Sequence, residues 1–196
     1  MLVFIDLEQQ YGAHNYHPLP VVLQRGEGVY VWDVEGKQYF DFLSAYSAVN
    51  QGHCHPKIIQ AMVNQAQTLT LTSRAFYNDQ LGPYEKFLTS YFGFDKVLPM
   101  NTGAEAVETA LKICRKWAYE VKGIAEQQAQ IVVCDGNFHG RTTTIISFSN
   151  DANARANFGP YTEGFISIPY DDVDALEKVL QNNPNVAGFL VEPIQG

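Results

Sequence analysis

Apolar and polar residues follow two different periods in the second half of the chain. Residues 131–134, 165–169 and 186–191 are short apolar runs, which are typical of strands buried on both faces of a parallel sheet. Between the last two runs, Asp171 or Asp172 can cap a helix. The apolar residues at helical spacing in that helix are Val173, Leu176, Val179 and Leu180. Strand, helix and strand in this order predict an α/β layer architecture.

The first half of the chain predicts an antiparallel hairpin followed by a helix. Residues 29–33 and 38–42 are rich in β-forming side chains and flank a short polar segment that contains Gly36. A helix is expected from Pro56, because proline suits the first helical turn, where its missing N–H group costs nothing. The apolar residues at helical spacing after it are Ile58, Met62, Ala66 and Leu69.

Residues 101–105 join an apolar segment to a strongly helical one. The spacing of Thr102 and Glu105 matches a capping box, which marks the start of a helix. Gly103 lets the backbone approach an anion closely, and the first helical turn directs unpaired N–H groups toward it. The segment therefore predicts either a phosphate site or an ordinary capped helix. The inward-facing residues of this helix are expected to be Val107, Ala110, Leu111 and Cys114.

Three other residues fall where ligands bind in open α/β sheets, at or just after the carboxyl ends of predicted strands. Phe138 could stack on a flat cofactor, and Arg141 could hold a carboxylate through two hydrogen bonds. Glu192 ends the last strand and could orient a bound group. The alternatives are a core side chain, a surface charge and a strand terminator, respectively. Residues 141–148 are rich in β-branched residues, which favours a strand, but could equally open a helix.

Composition and charge narrow the classes of function. The chain has 196 residues, of which 46% are hydrophobic, and a formal net charge of −8, so it can bury a core but offers no basic surface for nucleic acid. Three cysteines without a C-x-x-C pair indicate a reducing compartment. No metal is expected, because the adjacent His53, Cys54 and His55 lack distant partners for a tetrahedral site. The apolar start breaks at Asp6, too early for a signal sequence or a membrane span.

Five segments together resemble the class III pyridoxal-phosphate-dependent aminotransferases, and the resemblance extends over essentially the whole chain. The segments are residues 11–20, 42–56, 70–76, 100–105 and 191–196. The family implies the fold of a fold-type I transferase, with a mainly parallel sheet, helices on both of its faces and an antiparallel hairpin of a small domain. Residues 1–45 are then expected to form the amino-terminal segment and hairpin of the small domain. Residues 46–196 would be the first, incomplete part of the large cofactor-binding domain.

The resemblance also assigns roles at a site for pyridoxal 5'-phosphate. The backbone of Gly103 and Ala104 is expected to bind the phosphate of this cofactor, with Thr102 beside it. Phe138 is expected to stack on the pyridine ring. Glu192 is expected to lie near the polar edge of the cofactor.

Tyr16, Tyr46 and Arg141 match the residues with which family members that act on ornithine hold their substrate. Arg141 is expected to bind the α-carboxylate, and the two tyrosines to contact the amino-acid head. The resemblance implies transfer of the δ-amino group of ornithine, through the cofactor, to 2-oxoglutarate, giving glutamate 5-semialdehyde and glutamate. A homodimer with shared active sites is expected. Tyr46 favours ornithine over acetylornithine or γ-aminobutyrate, because a site built around a hydrogen bond discriminates against substrates that leave it unpaired.

None of the eight lysines of the chain matches the lysine that forms a Schiff base with the cofactor in this family. Lys112, Lys116 and Lys178 are expected to be solvated surface charges. We therefore expect the chain to be the amino-terminal portion of a longer enzyme, inactive alone, with the catalytic lysine beyond Gly196. The competing hypotheses are an acetylornithine or γ-aminobutyrate aminotransferase and, from another class, a non-catalytic binding or interaction module. The expected compartment is the cytoplasm, or the mitochondrion if a transit peptide has been removed.

Overall fold

The computed structural model describes residues 1–196, which form two compact units, Met1–Gly82 and Pro83–Gly196. The helices are α1 (Leu2–Tyr11), α2 (Ser44–Ser47), α3 (Pro56–Thr68), α4 (Leu81–Phe92), α5 (Gly103–Glu120), α6 (Thr143–Ile146), α7 (Ala152–Arg155) and α8 (Val173–Asn182). The strands are β1 (Leu23–Glu27), β2 (Tyr30–Asp33), β3 (Gln38–Phe40), β4 (Gln130–Cys134), β5 (Phe165–Ile168) and β6 (Val186–Leu190). The domain boundary expected after residue 45 stays a prediction.

The first unit contains the predicted hairpin, extended by one strand. Strands β2 and β3 pair antiparallel, and β1 pairs antiparallel with the other edge of β2. Asp33 is buried at the hairpin turn, where Oδ1 accepts hydrogen bonds from the N–H groups of Glu35 and Lys37, both at 2.9 Å. Its Oδ2 accepts from the hydroxyl of Tyr39 at 2.7 Å. One carboxylate therefore closes the whole turn.

The second unit is built on a parallel sheet in the order β5-β4-β6. The central strand β4 is buried on both faces as predicted, with Ile131, Val132, Val133 and Cys134 at most 3% exposed. The same expectation for the other two strands is wrong. Strands β5 and β6 are only partly buried, because each has β4 on one side and lies at an edge of this three-stranded sheet.

Helices cover both faces of the parallel sheet, as the fold class predicts. Ile131 and Val133 pack with Leu111 of α5 on one face, while Val132 and Cys134 pack with Leu176 and other residues of α8 on the other. The alternation of side chains along β4 produces these two layers.

Helix α5 follows its predicted pattern with one exception. Leu111 is buried and both Val107 and Cys114 pack against the same core cluster, but Ala110 is exposed. The prediction for Ala110 is therefore wrong, and a single methyl group at the edge of the stripe loses little by facing water.

The ambiguous segment after Gly140 forms the short helix α6. Thr142 caps it, because its hydroxyl accepts a hydrogen bond from the N–H group of Ile145. The segment forms a helix and not a strand, and its β-branched side chains Ile145 and Ile146 are buried in the core. Phe148 follows the helix and joins the same core cluster as Ile145.

Helix α3, the residue that caps α8 and the lysines lie at the surface of the protein. Helix α3 begins at Pro56 as predicted and buries none of its residues, and Asp172 caps α8 through the N–H group of Ala175. All eight lysines are exposed, including Lys112, Lys116 and Lys178 as expected. None of the helices is both long and apolar enough to cross a membrane.

Candidate cofactor and substrate site

The start of α5 has the predicted capping box. The hydroxyl of Thr102 accepts from the N–H group of Glu105 at 3.1 Å, and the Glu105 carboxylate accepts from the N–H groups of Thr102 and Asn101 at 3.1 and 3.0 Å. The N–H groups of Gly103 and Ala104 belong to the first turn, where a helix supplies no acceptor. A Cβ added to Gly103 would meet no atom within 4 Å. This end of the helix is therefore open to an anion.

The loop after β4 packs directly on this helix start. Gly140 has φ +128°, and a Cβ built there would lie 3.0 Å from Cδ1 of Ile145 and 3.4 Å from Cβ of Ala104. The hydroxyl of Thr142 donates a hydrogen bond to the carboxylate of Glu108 on α5. The carboxyl end of β4 and the amino end of α5 thus form one continuous surface.

Phe138, Glu192 and Arg141 lie together on that loop and the adjacent strand end. The N–H group of Phe138 donates to Oε2 of Glu192 at 3.0 Å. The Phe138 ring is 64% exposed, and the guanidinium carbon of Arg141 lies 5.8 Å from its centre. An aromatic face, a carboxylate and a guanidinium are therefore grouped at the carboxyl end of the sheet, where ligands bind in this kind of fold.

Residues that sequence reasoning missed hold this group in place. Asn137 is buried, and its Nδ2 donates to the carbonyl oxygens of Cys134 and Phe148 at 2.6 and 3.1 Å. Nε2 of Gln195 donates to the carbonyl oxygen of Asp135 at 2.9 Å. The hydroxyl of Tyr170 contacts the carbonyl oxygens of Glu192 and Pro193 at 3.1 and 3.0 Å. Gln195 could have been found from the sequence, because it falls within residues 191–196, one of the five segments that resemble the family. Asn137 and Tyr170 carry no signal of periodicity or spacing.

His139 is a half-buried group in the same loop. Burial lowers its pKa from the ordinary value of 6.5, and the nearby Glu192 opposes this shift only in part. Its Nε2 is buried without a hydrogen-bond partner, and its ring lies 6.0 Å from that of Phe148. Burial therefore disfavours a positive charge on the imidazole beside Phe138.

Tyr16 lies in the first unit, in the loop that follows α1. This loop and α1 line a cleft of about 810 Å³, to which residues 12–23 contribute most of the lining. His14 and His17 are among the residues that line this cleft. Nε2 of His14 contacts the carbonyl oxygen of Gln9 at 2.9 Å, and Tyr16 is 52% exposed.

Tyr46 lies on α2, which is not a right-handed helix. Ser44, Ala45, Tyr46 and Ser47 have φ of 50°, 49°, 54° and 70°, so the chain makes one left-handed turn. This conformation costs about 1–2 kcal/mol per residue for L-residues. The Tyr46 side chain is 78% exposed.

The eight predicted site residues are divided between the two units. The second unit brings Ala104 against Gly140, Phe138 against Glu192 and Arg141 beside Phe138, with Thr102 and Gly103 at the same helix start. Tyr16 and Tyr46 belong to the first unit. Their roles stay predictions.

The fold is that of the fold-type I pyridoxal-phosphate-dependent transferases. The ornithine aminotransferase from Toxoplasma gondii ME49 matches with a TM-score of 0.96 and 53% identity, over 98% of this chain and 45% of that one. Residues 11–196 match the family model described as aminotransferase class-III. The chain therefore belongs to the class III aminotransferase family.

Two further relatives differ in the substrate that their names carry. The mitochondrial ornithine aminotransferase of Rattus norvegicus is 63% identical over 191 residues, which are 97% of this chain and 43% of that protein. The acetylornithine aminotransferase from Elizabethkingia anophelis is 69% identical with a TM-score of 0.86, over 100% of this chain and 47% of that one. The chain thus spans just under half the length of the relatives it matches.

Proposed function

We propose that this chain supplies the phosphate-binding and ring-binding part of an ornithine aminotransferase. One observation carries the proposal: the open helix start at Gly103, the exposed ring of Phe138 and the carboxylate of Glu192 lie at the carboxyl end of one parallel sheet. These groups fit the phosphate, the flat ring and the polar edge of pyridoxal 5'-phosphate.

The residues of the second unit divide the binding of the cofactor among them. The N–H groups of Gly103 and Ala104 and the hydroxyl of Thr102 would hold the phosphate without any basic side chain. Phe138 would cover one face of the ring, and its own N–H group fixes Glu192 through the 3.0 Å hydrogen bond. When bound, the cofactor supplies an electron sink and a carrier for the amino group.

Three residues orient the substrate. Arg141 binds the α-carboxylate of ornithine through two parallel hydrogen bonds, while Tyr16 and Tyr46 contact the amino-acid head. A diamine anchored by its α-carbon end can present only its δ-amino group for transfer. Curated relatives at 57–63% identity carry the name ornithine aminotransferase, in one case as a probable one, which supports ornithine as the donor.

N-acetylornithine is the second candidate donor, because the Elizabethkingia anophelis protein at 69% identity carries that name. Tyr46 supports ornithine over it. Acetylation removes the charge of the α-ammonium group, and a phenol placed to accept from that group is then left with a weaker partner. A non-catalytic module has no comparable support among these relatives.

The remaining properties belong to the longer protein. 2-Oxoglutarate accepts the amino group, the Schiff-base lysine lies beyond Gly196, and two copies of the protein form a dimer with shared active sites. We infer a reducing compartment such as the cytoplasm, since Cys54, Cys114 and Cys134 are all free thiols. The rat relative is named as mitochondrial, which keeps that compartment as the alternative.

Isotope transfer in the full-length protein tests the proposed function. Ornithine labelled with ¹⁵N at the δ-amino group is incubated with 2-oxoglutarate and pyridoxal phosphate. We expect the glutamate that forms to carry the label, together with glutamate 5-semialdehyde. Glutamate without the label would mean transfer of the α-amino group, and absence of glutamate would mean that ornithine is not the donor; either result contradicts the proposal.

A further inference from the structure

The turn that carries Tyr46 is held in an unfavourable backbone conformation. Four consecutive non-glycine residues, Ser44 to Ser47, have φ between 50° and 70°. Such backbone persists only where surrounding contacts impose it. The groups that make those contacts therefore decide where the Tyr46 phenol is presented.

Asp41 makes the contacts at the entrance of the turn. Its Oδ1 accepts hydrogen bonds from the N–H groups of Leu43 and Ser44 at 3.0 and 2.9 Å. Its Oδ2 lies 2.7 Å from Nε2 of His53. These hydrogen bonds hold the pKa of Asp41 below its ordinary value of 3.8, and the bond with His53 has the largest effect. The carboxylate is thus fixed at both oxygens and cannot rotate away from the turn.

His53 connects this carboxylate to the sheet of the first unit. The N–H and carbonyl groups of His53 pair with those of Gly28 at 2.8 and 3.0 Å. The imidazole lies on the backbone of Gly26, because a Cβ added there would come within 2.7 Å of the ring. A continuous set of contacts therefore runs from β1 through His53 and Asp41 to the turn.

We propose that Asp41 and His53 are positioning residues for Tyr46: they hold the left-handed turn and so orient the phenol that selects the α-ammonium group of the substrate. The inference rests on the proposed function, because it assigns a role to residues that act only through Tyr46. Their side chains are 17% and 26% exposed, so water competes little with the hydrogen bond between them.

Selectivity between ornithine and 5-aminovalerate measures the contact with Tyr46, because these amines differ only by the α-ammonium group. In the full-length protein, we expect Asp41→Ala and His53→Phe to lower the ratio of kcat/KM for ornithine to that for 5-aminovalerate roughly 10- to 100-fold. A misplacement of about 1 Å at an orienting group has effects of this size.

Conservative variants and a matched control separate positioning from loss of charge. Asp41→Asn keeps an acceptor for the turn, and His53→Gln keeps an N–H donor for Asp41, so both are expected to retain most of the selectivity. Glu35→Ala removes another carboxylate from the same sheet, at an exposed position of the hairpin turn. We expect no change in selectivity from it.

A Tyr46→Phe background tests whether the pair acts through the phenol. Tyr46→Phe alone is expected to reduce the selectivity, because the hydroxyl is lost. Adding Asp41→Ala or His53→Phe is then expected to reduce it no further, since residues that act through a shared partner are not additive.

Three results would overturn the inference. They are equal losses of kcat/KM with both amines, unchanged activity in Asp41→Ala and His53→Phe, and a further loss of selectivity in the Tyr46→Phe background. If thermal unfolding shows that Asp41→Ala does not fold, His53→Phe decides, because it keeps a ring on Gly26 and leaves the bonds of Asp41 to the turn. If the unaltered protein shows no preference for ornithine over 5-aminovalerate, this result would instead contradict the proposed function, and with it the inference.

Discussion

At the scale of residues, the candidate site depends on contacts between positions that are distant in sequence. The N–H group of Phe138 donates to Glu192, 54 positions later, and Gln195 reaches back 60 positions to Asp135. Strand ends predicted that Phe138 and Glu192 belong near a site. The hydrogen bond between them could not be predicted, because it depends on the order of strands in the sheet and on backbone groups that carry no sequence signal.

Arg141 gives the sharpest prediction for a single side chain. In the full-length protein, Arg141→Lys is expected to raise the KM for ornithine roughly 10- to 100-fold, because lysine cannot bind a carboxylate through two parallel hydrogen bonds and bonds to charged groups contribute about 1.5–3 kcal/mol each. Steady-state kinetics at saturating 2-oxoglutarate measures this KM. The matched control is Arg155→Lys, at the end of α7 and outside the predicted site, for which KM should not change. An unchanged KM in Arg141→Lys would exclude its predicted role.

At the scale of elements, periodicity and caps predicted β4, α5 and α8 closely, because their core faces repeat regularly and their caps are local. Strand β1 was missed, since its sequence Leu23–Glu27 is mostly polar and exposed. Helices α1 and α4 were missed as well, and neither buries a residue. The structure of α2 was beyond prediction, because a left-handed turn of four non-glycine residues runs against local preference.

Gly140 packs the loop after β4 against the start of α5, which is the proposed phosphate site. Gly140→Ala is expected to weaken pyridoxal phosphate binding by the full-length protein about 10-fold, because φ +128° strains an alanine and its Cβ would press on Ile145 and Ala104. Backbone strain of this kind costs on the order of 1–3 kcal/mol. Equilibrium titration with the cofactor measures the change. In the control Gly82→Ala, the added Cβ meets no atom within 4 Å, and unchanged affinity in both variants would contradict the role of this packing.

The hairpin should be sensitive to acid through Asp33. The hydroxyl of Tyr39 is the main cause that lowers the pKa of this carboxyl below its ordinary value of 3.8. A depressed folded-state pKa contributes stability above pH 3.8, which is lost as the pH falls below that value toward the folded-state pKa. Thermal unfolding between pH 5 and about pH 2.5 should therefore show a smaller acid-induced loss in Asp33→Asn than in the unaltered chain.

Tyr39→Phe separates the hydrogen bond from the charge. This variant keeps the carboxylate of Asp33 but removes its hydroxyl partner, so the pKa should return toward the ordinary value and the acid-induced loss should shrink. If the unfolding curves of both variants follow pH as the unaltered chain does, Asp33 does not stabilise the hairpin in this way.

At the scale of the whole molecule, the lysines of the chain lie at its surface. All eight lysines are exposed, whereas a lysine that forms a Schiff base is activated by desolvation or by a neighbouring cation. The position of the catalytic lysine beyond Gly196 stays a prediction. Which substrate the longer protein prefers could not be read from the fold, because relatives with the same fold carry both substrate names.

Reductive trapping tests the missing lysine. The chain is mixed with pyridoxal phosphate, reduced with borohydride and digested, and modified lysines are located by mass spectrometry. We expect only weak, scattered modification over the eight exposed lysines. Stoichiometric modification of one lysine would contradict the proposal that the catalytic lysine lies beyond Gly196.

The most direct test of the central claim compares amine donors in the full-length protein. The quantity measured is the ratio of kcat/KM for ornithine to that for N-acetylornithine, in the unaltered protein and in Tyr46→Ile. We predict a ratio on the order of 100 in the unaltered protein, because a site built to bind a free α-ammonium group rejects a substrate that lacks it, and a fall toward one in Tyr46→Ile. A ratio at or below one in the unaltered protein would contradict the claim, and a ratio well below one would identify N-acetylornithine as the preferred donor.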